Sequence, residues 1–259
     1  MPYPVSVNLE YAFRDAGETI EERIAAAAAA GFRKVEIFLT RGRDLQAIRN
    51  ALDLHGVELL TTVADYETQL VDPATHEGFC KTFRKAAEDA VFLGCRRIVV
   101  TSGRGVPWLR RPVQHRNLAD ALVRLLPIAE ELDVVILLES ANTRLDHPGV
   151  LCSTTADSVD VAEMVGSPRV RLIYDLYQSV VEGEDPAVVL PQVIQLVDHV
   201  QIGDVPGRGE PGSGTIDWPA QLGLLRRLGY RGVIGLELMP TFAPTGEALS
   251  YIRRLCAEI

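Results

Sequence analysis

Four side chains with ligating oxygens close or interrupt apolar runs in the second half of the chain. Glu139 ends "VVILLE", Asp175 ends "VRLIYD", Gln201 interrupts "LVDHVQI" and Glu237 ends "GVIGLE", at spacings of 36, 26 and 36 residues. Each run has the length and β-branched content of a buried strand. Spacings of this size suit one side chain delivered per βα unit, all converging on one mouth. A single Glu or Asp at a strand end ordinarily caps a helix or anchors a loop, but four on successive units strain that account. Three carboxylates gathered closely raise one another's pKa unless a cation stands among them. Carboxylate and amide oxygens suit a hard divalent ion, Mg²⁺ or Mn²⁺, better than structural zinc.

The elements that must position these groups are legible as alternation. Short β-branched runs fall at residues 5–9, 34–38, 58–62, 97–101, 134–139, 170–175, 199–204 and 232–237. Helical patterns separate them. The first, "TIEERIAAAAAAGF", has an acidic first turn and a terminal Gly31, matching helix-start and helix-stop chemistry. Others span 78–93, 116–132 and 218–228. Glycine precedes a strand in "GFRKVEIF", "GVELLTT", "GCRRIVVT" and "GYRGVIGLE", as expected where a left-handed residue ends the preceding helix. Eight such units predict an α/β fold, a closed (β/α)₈ TIM barrel forming one domain over 1–259, with a doubly wound open sheet as the alternative. The C-terminal strand ends of a barrel carry its chemistry, and the four oxygens fall there.

The bulk composition agrees. The chain has 259 residues, 47% of them hydrophobic, and single barrels commonly run to about 250. Lys plus Arg is 26 against 35 acidic residues, a formal charge of −9, which argues against nucleic acid as partner. The basic stretch 104–116, "RGVPWLRRPVQHR", reads as a solvated loop. Cys80, Cys95, Cys152 and Cys256 form no CxxC pair and read as small buried hydrophobes in a reducing compartment. With no leader pattern and no apolar run of about 18 residues, a cytoplasmic protein without membrane partners is expected.

Over nearly its whole length the chain resembles the hydroxypyruvate isomerase branch of the xylose-isomerase-like sugar isomerase and epimerase superfamily. The blocks that carry the resemblance are "VNLEYAF", "AAGFRKVEIF", "LLESANTRLDHPG", "YDLYQSVVEGED", "HVQIGDVPGRGEPGSGTIDW" and "GYRGVIGLELMP". The resemblance implies a (β/α)₈ barrel with a divalent metal held by Glu139, Asp175, Gln201 and Glu237. It also implies that Glu139 and Glu237 act as acid and base, moving a proton between adjacent carbons through an enediolate. The lead substrate is a small hydroxy-oxo acid resembling hydroxypyruvate, and a homo-oligomer is implied as well.

Further residues bear on substrate. Arg208, in the Gly- and Pro-rich loop after the seventh run, can pair with a carboxylate or phosphate through its guanidinium fork. Asn142 and His147, in "ANTRLDHPG", are expected at the same mouth. Relatives have a His three residues after the metal-binding Asp, where this chain has Gln178. An amide there contacts substrate neutrally and carries no proton. The segment 61–73, "TTVADYETQLVDP", also departs from the usual lid after strand three. The same scaffold serves a ketose or keto-polyol epimerase, and a non-catalytic sugar-binding barrel is a third reading. An apurinic endonuclease is disfavoured, since the five histidines, His55, His76, His115, His147 and His199, mostly miss the strand ends.

Overall fold

The computed structural model describes residues 2–258. Eight parallel strands close in chain order: β1 (Val5–Asn8), β2 (Lys34–Glu36), β3 (Glu58–Val63), β4 (Arg97–Thr101), β5 (Val135–Glu139), β6 (Val170–Asp175), β7 (Val197–Ile202) and β8 (Ile234–Leu236). Pairing of β1 with β8, Val5 opposite Ile234, makes this the expected TIM barrel and excludes the open sheet. The outer layer comprises α1 (Ile20–Ala29), α2 (Leu45–His55), α3 (His76–Phe92), α4 (Arg111–Glu131), α5 (Thr155–Val165), α6 (Leu176–Glu182), α7 (Pro186–Val193), α8 (Trp218–Arg227), α9 (Thr245–Ala248) and α10 (Ser250–Glu258). Among the described residues no helix is long and apolar enough to cross a membrane.

Local chemistry explains these elements. Thr19 and Glu22 form a reciprocal capping box on α1, satisfying backbone donors that the first turn leaves unpaired. Asp175 is both the last residue of β6 and the N-cap of α6, so strand passes into helix without a loop.

Side chains alternate between the two faces of a strand, and this parity sorts the core into two parts. Residues such as Leu138, Leu172, Val200 and Ile202 pack outward with the helices in the main core. Val63, Val99, Leu137 and Ile173 form a separate apolar cluster. Glu139 lies two residues beyond Leu137, and Asp175 two beyond Ile173, on that same face. The wall formed by β1, β2, β7 and β8 instead buries Ser6, Glu36, His199 and Gln201. One half of the barrel interior is therefore greasy and the other hydrogen-bonded.

Several boundaries differ from the sequence reading; the eighth strand is Ile234–Leu236 rather than 232–237, so Glu237 lies just beyond it. The second strand stops at Glu36, not Phe38, because its register against β3 shifts between Val35 and Glu36. The seventh runs from Val197 to Ile202, two residues earlier than expected, and Gly203 and Asp204 belong to the loop. The stretch 104–116 is only partly loop, since α4 begins at Arg111 with Pro112 in its first turn, where a missing N–H costs nothing.

Asp157, in the first turn of α5, ties this region together. It accepts from the Arg111 guanidinium, the Thr154 N–H (2.9 Å) and the Ser153 N–H (3.1 Å). Burial opposes its charge, but Arg111 and Thr154 outweigh burial and hold the carboxyl below its usual range. A depressed folded-state pKa contributes stability above the unfolded value, near 4, and that contribution is lost as pH falls through the folded value. Asp157→Asn should therefore cost about 1–2 kcal/mol at neutral pH. In urea titrations, the gap from wild type should narrow steadily below about pH 4.

Candidate active site

A cavity of about 250 Å³ opens at the C-terminal end of the barrel. Glu139, Gln178, Gln201, Arg208, Glu237 and His147 all line it, together with Asn8, Tyr11 and an apolar wall that includes Ile37, Phe38, Val63 and Val99. Six of the eight residues singled out from the sequence thus meet at one opening. Asp175 lies just behind it, joined through Arg208, while Asn142 is fully buried in the β5–α5 loop. His147 stands exposed on the rim.

Arg208 organises the carboxylates. Its Nη2 is 2.6 Å from Asp175 Oδ2 and 2.5 Å from Glu237 Oε1, and its Nε donates to the Glu237 carbonyl oxygen at 3.0 Å. Tyr177 lies beneath the guanidinium at 4.8 Å, a cation–π arrangement. The side chain is 4% exposed, so the loop does not wave it in solvent. Arg208 holds a positive φ of 55°, uncommon for a residue with a Cβ.

The loop itself is pinned despite its glycines. Asp204 accepts from the N–H groups of Val205, Gly212 and Ile216 and from Trp218 Nε1, at 2.8 to 3.1 Å. Glu210 holds Thr241 through its N–H (2.8 Å) and hydroxyl (2.6 Å). Gly203 permits a close approach: a Cβ there would lie 3.0 Å from Arg208 Cγ and 3.2 Å from the Glu237 carbonyl oxygen, tighter than most such contacts.

Electrostatics follow from crowding. Burial first, then Glu237 and Asp175, push the Glu139 carboxyl well above the usual carboxylate range. Burial also raises Glu237, with Arg208 working against it. Asp175 is raised by burial despite Arg208 and the two backbone N–H groups of Tyr177 and Gln178.

Gln201 bears on what cation these groups could hold. Its Nε2 donates to Glu237 Oε2 at 2.6 Å and to Glu36 Oε2 at 2.8 Å, while its Oε1 is buried without a partner. Buried acceptors in native proteins are nearly always satisfied, so this orphan oxygen fits a cation ligand. Among the described residues no three His, Cys, Asp or Glu side chains form a ready cluster. The arrangement has an amide in place of one ionisable group, and a guanidinium joining two carboxylates. The residues fit a hard ion provided Arg208 yields part of its hold on Asp175 and Glu237.

The sequence reading missed Glu36, which is 0% exposed beneath Gln201. Its signal was present: in "KVEIF" a carboxylate interrupts an apolar run as Gln201 does. Gln178 accepts the Asn142 backbone N–H at 2.8 Å and the Asn142 side-chain amide, tying α6 to the β5–α5 loop.

The barrel family can now be assigned by comparison. The chain is 31% identical to 2-oxo-tetronate isomerase of Cupriavidus necator, over 94% of this chain and 93% of that protein. It is 26% identical to hydroxypyruvate isomerase of Escherichia coli, over 84% and 87%. A crystal structure of AP endonuclease, family 2, from Brucella melitensis superposes with a TM-score of 0.88 at 25% identity, over 98% of this chain and 99% of that one. The xylose isomerase-like TIM barrel family model matches residues 24–255, and the chain belongs to that family.

Proposed function

We propose that this chain is a divalent-metal-dependent isomerase that moves a proton between adjacent carbons of a small hydroxy-oxo acid through an enediolate. That it is an isomerase or epimerase follows its relatives. The observation that carries the finer reading is Gln201 Oε1, an unpartnered buried acceptor on a side chain that lines one cavity with Glu139 and Glu237. Glu139, Asp175, Gln201 and Glu237 would hold the ion. Bound there, Mg²⁺ or Mn²⁺ would supply the charge that stabilises the oxyanion formed when a carbon beside a carbonyl loses its proton.

The chain's own groups do the rest. Glu139 and Glu237 come from β5 and just beyond β8, on different sides of the cavity wall. Burial, then the neighbouring carboxylates, raise Glu139 above the usual carboxylate range, and burial raises Glu237; a carboxyl within reach of the reacting carbon takes or gives the proton. The apolar side chains Ile37, Phe38, Val63 and Val99 limit water around the reacting carbons. Arg208, drawn partly from Asp175 and Glu237, offers its fork to the substrate's anionic end. Gln178 orients substrate without taking a proton, and His147 and Asn142 shape the rim and the loop beneath it. A reducing, cytoplasmic setting is part of this reading, supported by four free thiols.

The Brucella name raises a nucleic-acid substrate, but two arginines of the basic stretch that would meet phosphates are engaged within the protein. Arg104 donates to the Pro148 carbonyl oxygen and Arg111 to Asp157. The epimerase reading uses the same two glutamates and differs in which carbon is presented, so product stereochemistry on a panel of oxo acids and ketoses assigns it.

Glu139→Gln and Glu237→Gln should each lower kcat/KM by about 10²–10⁴-fold and stop exchange of the substrate α-hydrogen with solvent deuterium. Undiminished exchange in both variants would sink the two-glutamate mechanism. Dialysis against a chelator should lower Tm, and Mn²⁺ or Mg²⁺ should restore it, because an ion that binds only the folded chain stabilises it. Arg208→Gln should raise KM for carboxylate-bearing substrates roughly 10–100-fold, the loss of a charged hydrogen bond, and more than it raises KM for neutral ketoses.

A further inference from the structure

Glu36 is a carboxylate buried inside the barrel, and burying a charge is costly unless it is well partnered. Here four donors serve it. Ser6 Oγ lies 2.5 Å and His199 Nε2 3.0 Å from its Oε1, while Thr61 Oγ1 at 3.0 Å and Gln201 Nε2 at 2.8 Å approach Oε2. Burial acts against its charge, yet His199, Ser6 and Gln201 together hold its carboxyl down at about 2. Glu36 is therefore placed as the common hydrogen-bond acceptor of four side chains.

β8 is shaped around this group. A Cβ on Gly235 would collide with Glu36 Oε1 and would lie 2.7 Å from His199 Nε2 and 3.1 Å from Gln201 Cγ. Gly235 stands opposite Ser6 on one side and Gln201 on the other in the barrel register. Its missing side chain makes the slot in which β2 and β7, which are not sheet neighbours, touch.

The consequence concerns Gln201. An amide can be turned end for end at little steric cost, and hydrogen bonds decide which end points where. Both Nε2 hydrogens are taken by carboxylates, Glu36 on one side and Glu237 on the other. The flipped amide would set its oxygen against a carboxyl oxygen on each side, Glu36 Oε2 and Glu237 Oε2, and lose both hydrogen bonds. We propose that Glu36 is a positioning residue: by holding Gln201 Nε2 it fixes the amide so that only the carbonyl oxygen is offered to the ion. The inference rests on the metal reading above and adds to it a group that touches neither ion nor substrate.

Calorimetric titration of Mn²⁺ into wild type, Glu36→Gln, Gln201→Ala and the double variant tests it. A glutamine at 36 accepts or donates, so Gln201 can turn, and Mn²⁺ affinity should fall about 10–100-fold, as for other groups that orient a ligand. Gln201→Ala should also weaken binding, and Glu36→Gln should cost nothing more on that background. Losses that add in full would mean that Glu36 acts independently of Gln201 and would overturn the inference, as would unchanged affinity in Glu36→Gln. Wild type that binds no Mn²⁺ would instead overturn the metal reading itself. Should Glu36→Gln not fold, Gly235→Ala crowds the same three side chains without removing a charge; weakened Mn²⁺ binding then supports the inference and unaltered binding overturns it.

Discussion

Glu36, Glu139, Asp175 and Glu237 are drawn into the same end of one barrel, and mutual repulsion among buried carboxylates governs what surrounds them. Glu36 is balanced by four donors, whereas Asp175 and Glu237 share a single guanidinium. Glu139 receives neither and is pushed well above the usual carboxylate range. Partial balance of this kind has a use. Full neutralisation would leave the site inert, and none at all would drive protons onto every oxygen. The charges that stay under-compensated are those that line the cavity.

Arg208 depends on the loop, and the loop depends on Asp204. Four donors converge on that one side chain and close residues 204–218 into a rigid hoop. Gly203 leaves room for the arginine stem to fold back against the Glu237 backbone. The guanidinium is thereby delivered at a positive φ to a position set by tertiary contacts. Two carboxylates from different units, β6 and the end of β8, then report on the same cation, so loop, strand ends and site form one electrostatic assembly.

The strand ends were readable because an apolar run that closes on Glu, Asp or Gln breaks a simple pattern. Parity then explains why Glu139 and Asp175 face inward, each two residues beyond an interior apolar neighbour. The helices were readable from caps such as Thr19 with Glu22. Glu36 escaped notice because "KVEIF" continues apolar after it and hides the bulge that ends β2 there. The Arg208 ion pairs were not legible, since they join loop and strand residues 29 and 33 positions apart and no local pattern encodes such a distance. The start of α4 was obscured by a basic stretch in which Arg111 pairs with Asp157 and Arg104 with the Pro148 carbonyl oxygen.

Gln178 bears on how protons are divided within the proposed mechanism. Its amide oxygen is engaged by both Asn142 donors. A histidine accepts through at most one ring nitrogen and could not hold that backbone and side chain in the same way. Gln178 thus places at this position a side chain that braces the β5–α5 loop against α6 and does not titrate. The proposed mechanism accordingly asks proton movement of Glu139 and Glu237. In that mechanism the two carboxyls that line the cavity are the ones asked to move protons, while Gln178 and Gln201 contribute amide dipoles beside them.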